Sequence, residues 1–414
     1  MTNLKFIDLF AGIGGFRQAL DNCGFECVFS NDNDKNCIKT YKENYGHINS
    51  ENIENVDEKE IPNFDILCGG FPCQPFSKAG QQKGFQDCRG NLFFEICRII
   101  KHHLPKYIIL ENVRNLASHD KGNTWEVMRS KLQELGYSTY AKPVILNTLY
   151  FGIPQSRERV VVMGKRLDLG KLPNLPNITK ESIKPTNLKS IIDDEVDTKY
   201  NIDEKLFITE KIWNNFLKIL KNNNIKIPKF PIWTDWWDSE GSGTRITKKD
   251  KKKTDEENEI LIKKKQVDFY KKYTSWIEKN REFYNNNVNI LKPWLEDSRK
   301  YELWKGAVRK LEWQAGDVNL LMNEVLWSPR GSGIRIKNLD YSPTLVAMTS
   351  MTPIYGPKSR HFTPRECARL QSFSDNFILD KNDSISYKQF GNSVNVKMIE
   401  RCVRFLIYSE MLIT

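Results

Sequence analysis

Cys73 follows Gly69-Gly70-Phe71-Pro72 at the end of a strand-like run, Phe64–Cys68. Glycines release a chain from a sheet, and the proline fixes the backbone just before the thiol. A thiol on a loop at the carboxyl end of a strand stands where α/β enzymes keep their chemistry, and as a thiolate it is a nucleophile. A lone cysteine is more often a small buried hydrophobe, so Cys73 needs company. Glu111 offers a carboxyl directly after the apolar run Tyr107–Leu110. It lies beside Cys73 if the two strands are parallel neighbours. Arg157 and Arg159 alternate on an extended segment, share one face, and suit a bidentate grip on planar or anionic groups. A solvated acid and ordinary surface charge are the bland alternatives.

A second group of residues suits a ligand. Asp8-Leu9-Phe10-Ala11-Gly12-Ile13-Gly14-Gly15-Phe16 follows a first strand and opens a first helix. Its glycines let a ligand approach the backbone, and the helix start offers free N–H groups. Arg17 stands where the G-x-G-x-x-G pattern needs its third glycine, which disfavours a pyrophosphate cradle. Asp32 ends the second strand, where an acid can bond ribose hydroxyls, and Asp65 is a third acid in the third strand. The set suits an adenosyl group without a pyrophosphate and points to S-adenosyl-L-methionine. A tight turn with ordinary caps accounts for the glycines equally well. Gln389–Val394 reads first as the capped start of the helix after it, and second as a far wall of the same pocket.

The elements that must position these groups alternate. Strand signals lie at Phe6–Phe10, Cys27–Ser30, Ile66–Cys68, Ile108–Leu110 and Val160–Met163. Helical stretches lie at Gly15–Cys23, Lys35–Tyr45, Leu92–Ile100 and Trp125–Leu135. This alternation predicts an α/β fold, a mostly parallel sheet with helices on both faces. After Arg166 the alternation stops and prolines gather. Residues 190–330 hold most of the tryptophans and a charged block at Lys248–Lys253. A helix follows with Phe269, Tyr273, Trp276 and Ile277 on one face, a stripe that suits core packing. Helices return at Thr363–Phe373 and Val396–Tyr408, so one α/β unit is interrupted and then completed.

The net charge of +11 allows either a lysine-rich solubilising surface or a polyanionic partner such as nucleic acid. Nine scattered cysteines with no C-x-x-C pair, and five histidines without ligand spacing, argue against zinc and against a disulfide framework. No apolar run reaches the ~18 residues of a membrane span. No signal peptide is expected before the first strand. A reducing cytosol is expected.

The order and spacing of these segments resemble the cytosine-C5 DNA methyltransferase family. The matching stretches are Phe10–Gly15, Phe71–Ser77, Arg89–Phe93, Glu111–Val113, Gln155–Arg159, Ser342–Leu345 and Tyr387–Val394, with Pro364–Leu370 resembling the family's hinge helix. The resemblance implies a class I S-adenosyl-L-methionine-dependent methyltransferase fold with a smaller inserted target-recognition domain. It implies a catalytic domain over 1–188, recognition over 189–363, and a C-terminal segment, 364–414, that completes the first.

It also implies roles. The Cys73 thiolate would add to C6 of a flipped cytosine and make C5 nucleophilic. Glu111, protonated through burial, would hold N3 and the amino edge. Arg159 would hold O2, and Arg157 would support the thiolate and its loop. Phe10, Gly12, Ile13, Gly14, Gly15, Asp32 (ribose), Asp65 (adenine), Pro72, Leu92, Asn392, Ser393 and Val394 would bind the cofactor, with S-adenosyl-L-homocysteine as product. Gln74, Ser77, Arg335 and Thr344 would contact DNA or orient the recognition domain. Base readers are expected among arginines such as Arg245, Arg330 and Arg335. The cluster Trp233–Asp238 packs a core or lines DNA, with core favoured. The expected partner is double-stranded DNA, with no metal. The expected form is a bacterial cytoplasmic monomer, nucleoid-associated while acting and working beside a separate restriction endonuclease. A tRNA cytosine-C5 methyltransferase and a catalytically silent DNA-binding protein are the competing readings.

Overall fold

A computed structural model describes residues 4–72, 92–237, 273–316 and 320–413. These residues form two compact units: 1–194 with 340–349 and 363–414, and 195–339 with 350–362. The division moves the first expected boundary from 188 to 194 and places residue 363 in the first unit. Residues 340–349 leave the inserted region and join the first unit.

In the first unit, β1 (Lys5–Leu9), β2 (Glu26–Asn31), β3 (Ile66–Gly69) and β4 (Tyr107–Val113) pair in parallel in the order β2-β1-β3-β4. β3 is buried along its whole length, as a strand covered on both faces must be. Ile7, Leu67, Ile108, Leu110, Val160 and Val162 form one core face with side chains of α3 (Leu92–His103) and α4 (Asn123–Glu134). Elsewhere α10 (Val396–Tyr408) packs on β4 and against α1 (Gly15–Asp21), so the C-terminal helix completes the layer.

The far edge is antiparallel. β5 (Tyr137–Thr139), β6 (Val144–Asn147) and β8 (Glu158–Arg166) follow α4, and β8 pairs antiparallel with β4. Sequence patterning gave β8 as a shorter strand and missed β5 and β6, which are too brief to show a period. A two-residue strand, β7 (Gln155–Ser156), pairs with β13 (Ser342–Pro343) and brings 340–349 into this unit.

Helix ends follow local capping chemistry. Asp34 accepts from the N–H groups of Asn36 and Cys37 and starts α2 (Lys35–Tyr45). Thr363 and Glu366 form a reciprocal capping box on α8 (Pro364–Leu370). The expected cap at Gly391-Asn392-Ser393 is corrected. Gly391 and Asn392 end α9 (Asp383–Asn392), and Asn395 caps α10 by accepting from Met398 N–H.

The second unit packs α5 (Glu204–Asn222), α6 (273–286) and α7 (Val288–Arg299) with a six-stranded sheet. In the sheet, β9 (Ile232–Trp233) pairs with β10 (Lys310–Gln314), which runs parallel to β12 (Gly333–Lys337). β11 (Leu326–Arg330) joins β12 in an antiparallel hairpin and continues to β14 (Ile354–Tyr355) and β15 (Arg360–His361). Trp233, Trp236 and Trp237 are buried, so this tryptophan cluster is core. Within the sequence-predicted stripe Ile277 is buried and Trp276 is exposed, while Phe269 lies outside the described residues.

Candidate active site

The carboxyl ends of β1 to β4 open onto a cavity of about 750 Å³. One wall is the glycine loop. Phe10, Gly12 and Gly14 all take positive φ, +56°, +57° and +85°. That geometry turns the chain from β1 into α1 within a few residues. A side chain on Gly14 would meet the Tyr45 ring at 2.3 Å, and one on Gly15 would meet Val394 Cγ2 at 2.7 Å. The loop is therefore confined to bare backbone between α2 and the C-terminal segment.

Asp32 ties this loop to the end of β2. Its Oδ2 accepts from Gly12 N–H at 2.8 Å and its Oδ1 from Asp34 N–H at 2.8 Å. Burial pushes its carboxyl above the usual range against these two bonds. Phe10, Gly12, Ile13, Gly15, Asp32, Pro72, Leu92, Asn392, Ser393 and Val394 all line the cavity. Gly14 does not, since its place is behind the loop against Tyr45.

Asp65 is a correction. It precedes β3 at the amino edge of the sheet, accepts from Lys5 N–H at 2.9 Å and pairs with Lys106 Nζ at 2.8 Å. Four strand residues, about 13 Å at ~3.3 Å each, separate it from the carboxyl edge. Its role there is to tie β1, β3 and β4 at their starts. Asn52 and Ile53 line the cavity instead, where Asn52 caps a short 3₁₀ turn through Glu54 N–H. The Asn52-x-Glu54 spacing was a visible cap signal, but nothing local told where the turn would lie.

Glu111 and Arg159 stand at the other end of the same cavity. Arg159 Nε lies 2.9 Å from Glu111 Oε1, and both side chains are only about one-tenth exposed, 11% and 9%. The pair is close but poorly aligned, leaving Oε1 without a hydrogen bond of good geometry. Burial pushes the Glu111 carboxyl up, while Arg159 and Arg157 oppose it without cancelling it. Asn112, the next residue, donates from Nδ2 to the Phe71 carbonyl at 2.9 Å. It grips the backbone two residues before Cys73, a role the sequence reading did not assign.

Arg157 is fully buried, and its partners are backbone carbonyls. Its Nη groups donate to Leu345 O at 3.2 Å, Gly391 O at 3.3 Å and Ser393 O at 2.6 Å. Burial, and then Arg159, lower its guanidinium to about 9. Those groups pin the C-terminal wall to β7 and β8, while the thiolate and loop that Arg157 was expected to support lie outside the described residues. Gln155 does similar work, donating to Leu370 O and accepting from Leu345 N–H. Thr344 lines the cavity, but its hydroxyl donates to Ser156 O at 2.7 Å. Its side chain thus ties its own segment to β7. Arg335 belongs to the second unit and pairs with Glu312. Cys73, Gln74, Ser77 and Arg245 lie outside the described residues. Among the described residues no cluster of His, Cys, Asp and Glu gathers as a metal site, and no helix is long and apolar enough to cross a membrane.

A family model described as C-5 cytosine-specific DNA methylase matches residues 4–407. This chain belongs to that family. As a C-5 cytosine-specific DNA methylase it methylates carbon 5 of cytosine in DNA, and membership implies S-adenosyl-L-methionine as the methyl source. The tRNA and catalytically silent readings are not favoured. The methylase is 35% identical over 400 residues to the Type II methyltransferase M.HhaI of Haemophilus parahaemolyticus, covering 97% of this chain and 93% of that one. It is 33% identical over 441 residues to the Type II methyltransferase M.BanI of Aneurinibacillus aneurinilyticus, covering 99% and 96%. Among solved structures, it resembles a putative DNA modification methyltransferase from an E. coli prophage, with a TM-score of 0.54 at 20% identity, covering 96% of each chain. It also resembles a DNMT2 of Spodoptera frugiperda, with a TM-score of 0.51 at 20% identity, covering 97% and 99%. At such identity these two structures speak to the fold, an α/β methyltransferase.

Proposed function

We propose that this methylase modifies one cytosine in a short duplex sequence, holding cofactor and flipped base at opposite ends of one cavity. The observation that carries the reading is that Glu111 and Arg159 share a cavity with the Gly12–Gly15 loop and Asp32. The donor set fits S-adenosyl-L-methionine. Asp32 offers a carboxylate for ribose hydroxyls, Asn52 and Ile53 offer an amide and an apolar face for adenine, and the glycine loop leaves room against bare backbone. Asn392, Ser393 and Val394 close the other side. When bound, the cofactor supplies an electrophilic methyl on a sulfonium, which is released to C5 as S-adenosyl-L-homocysteine forms.

The protein's work is to make C5 a nucleophile. Cys73 follows directly on Pro72, which lines the cavity. Its thiolate forms a bond to C6, and the C5=C6 electron pair moves to C5. Glu111, whose carboxyl burial holds toward the protonated form, donates to N3 and accepts from the exocyclic amine. Arg159 donates to O2 and balances charge on the ring. After methylation a base removes the C5 proton, the electron pair re-forms C5=C6, and the sulfur leaves. C5 and C6 inside a duplex are out of reach, so the target nucleotide is flipped out. The relatives named Type II methyltransferases support a protective role beside a restriction endonuclease that acts separately; the proposed form is a monomer on double-stranded DNA.

Bisulfite sequencing of DNA from a methylation-deficient bacterial host expressing the chain or Cys73→Ala tests this. Protected cytosines in one recurring context, absent with the variant, are expected. Full conversion in both samples with soluble protein would overturn the reading.

A further inference from the structure

We propose that Asn31 is a further cofactor-binding residue, its side-chain carbonyl accepting a hydrogen bond from the exocyclic amine of adenine. This rests on the reading of the cavity as the S-adenosyl-L-methionine site and adds an adenine-selective contact to it.

Asn31 is the last residue of β2, is only 2% exposed, and lines the cavity. Its backbone is fixed on two sides. Its carbonyl accepts from Ala11 N–H in the glycine loop at 3.0 Å, and the flanking residues Ser30 and Asp32 both bond Asn49. The side-chain amide has one orientation that fits its surroundings. One end lies 3.0 Å from Asn49 Oδ1 and 2.9 Å from Glu51 O, so that end is the donor, Nδ2. Oδ1 is the other end. Among the described residues nothing donates to it, and unlike Asp8 Oδ1 it is not sealed inside the protein, so its open side is the cavity. A nearly buried acceptor held in place is costly unless a ligand supplies its donor.

The position selects the adenine end. Asn31 pairs with Leu9, which shares a core face with Ile53. Its Nδ2 holds residues 49–51, the stretch that leads into Asn52 and Ile53. Asn52 closes on Glu54 through both ends of its own amide. Asp32, one residue on, carries the charge suited to ribose hydroxyls and reaches to Gly12. A neutral acceptor tied to the Asn52-Ile53 stretch suits a neutral amine. It would face a second acceptor if a carbonyl stood in the amine's place, which makes the contact selective for adenine.

Titration calorimetry on the whole chain tests this, with S-adenosyl-L-homocysteine and its 6-deamino analogue against wild type and Asn31→Ala. We expect wild type to bind the analogue on the order of tenfold more weakly, and the variant to shrink that gap to about twofold or less. Analogues lacking the 2′- or 3′-hydroxyl should lose the same factor in both proteins. A residue that only ties the 49–51 stretch would weaken all ligands alike and leave the gap intact, which overturns the inference. So does a wild type indifferent to the amine, or a variant whose altered response is to a ribose hydroxyl. Should Asn31→Ala fail to fold, Asn31→Ser takes its place. Should both fail, a crystal structure of wild type with S-adenosyl-L-homocysteine decides, by whether the amine lies within about 3.2 Å of Oδ1. A wild type that binds no S-adenosyl-L-homocysteine removes the cofactor reading and this inference together, whereas binding that ignores Asn31 removes the inference only.

Discussion

The side-chain amide of Asn112 donates to the main-chain carbonyl of Phe71 at 2.9 Å, and both residues are buried. The bond joins the end of β4 to the backbone just before Pro72-Cys73. Asn112 also accepts from Val113 N–H at 2.8 Å, which fixes the amide orientation. Asn112→Ala leaves the Phe71 carbonyl without its donor, a loss of about 1–3 kcal/mol. Turnover should fall roughly 10- to 100-fold, as misplacement of a reacting group by about 1 Å does. Single-turnover kinetics beside a cofactor titration check this: the chemical step should slow while cofactor affinity holds.

Glu111 should control the alkaline side of the pH–rate profile. Burial pushes its carboxyl up, and the two arginines only partly oppose this. The protonated form donates to N3, so the rate is full below the raised value and falls as pH climbs through it. Glu111→Gln keeps a neutral donor that cannot titrate. Its kcat should drop at least about 100-fold, the range of a lost general acid, and the alkaline fall should flatten. An alkaline limb unchanged in the variant would assign that limb to another group.

Arg157→Lys should weaken cofactor binding more than chemistry. The arginine spans carbonyls of Leu345, Gly391 and Ser393, which a single ammonium cannot reach together. Loosening the 391–394 wall should raise the Kd for cofactor by roughly tenfold, about the 1.4 kcal/mol of one strong hydrogen bond. Isothermal titration against S-adenosyl-L-homocysteine measures it, with the melting temperature as a parallel readout of the lost buried bonds.

Asp65→Asn should leave cofactor affinity unchanged. Burial alone would raise the Asp65 carboxyl, but Lys106 and the Lys5 N–H outweigh burial and hold it below its usual range. A depressed carboxyl stabilises the fold above its unfolded value of 3.8, and that contribution is lost as pH falls through the lower folded value. The partly exposed pair is worth about 1 kcal/mol or less. Wild-type and variant stabilities should therefore differ slightly at neutral pH and converge in acid, which urea titrations at several pH values resolve.

Much of the site was legible because its residues are adjacent in sequence to strand ends. Gly12–Gly15, Asp32 and Glu111 each follow a strong strand signal, and parallel strands deliver their carboxyl ends to one edge. Asp65 was misplaced because it was counted within the strand; it precedes Ile66–Gly69, so chain direction already puts it at the amino edge, away from the carboxyl ends that form the site. Arg157 could not be read either. An arginine in Gln155–Arg159 shows its charge in the sequence but gives no sign that three carbonyls from distant segments will surround it. β5 and β6 were missed for want of length, since three or four residues carry no period.

The contact between the glycine loop and Val394 also sets a clock. Gly15 packs directly against Val394, so the two walls that meet there come from segments far apart in the chain. During synthesis at about 5–20 residues per second, the loop leaves the ribosome roughly 20–80 s before its counterpart exists. Through that interval the first strands can pair, but the cofactor has half a binding site. Competence to methylate therefore arrives late in translation, and a nascent chain cannot use its cofactor to stabilise the early fold.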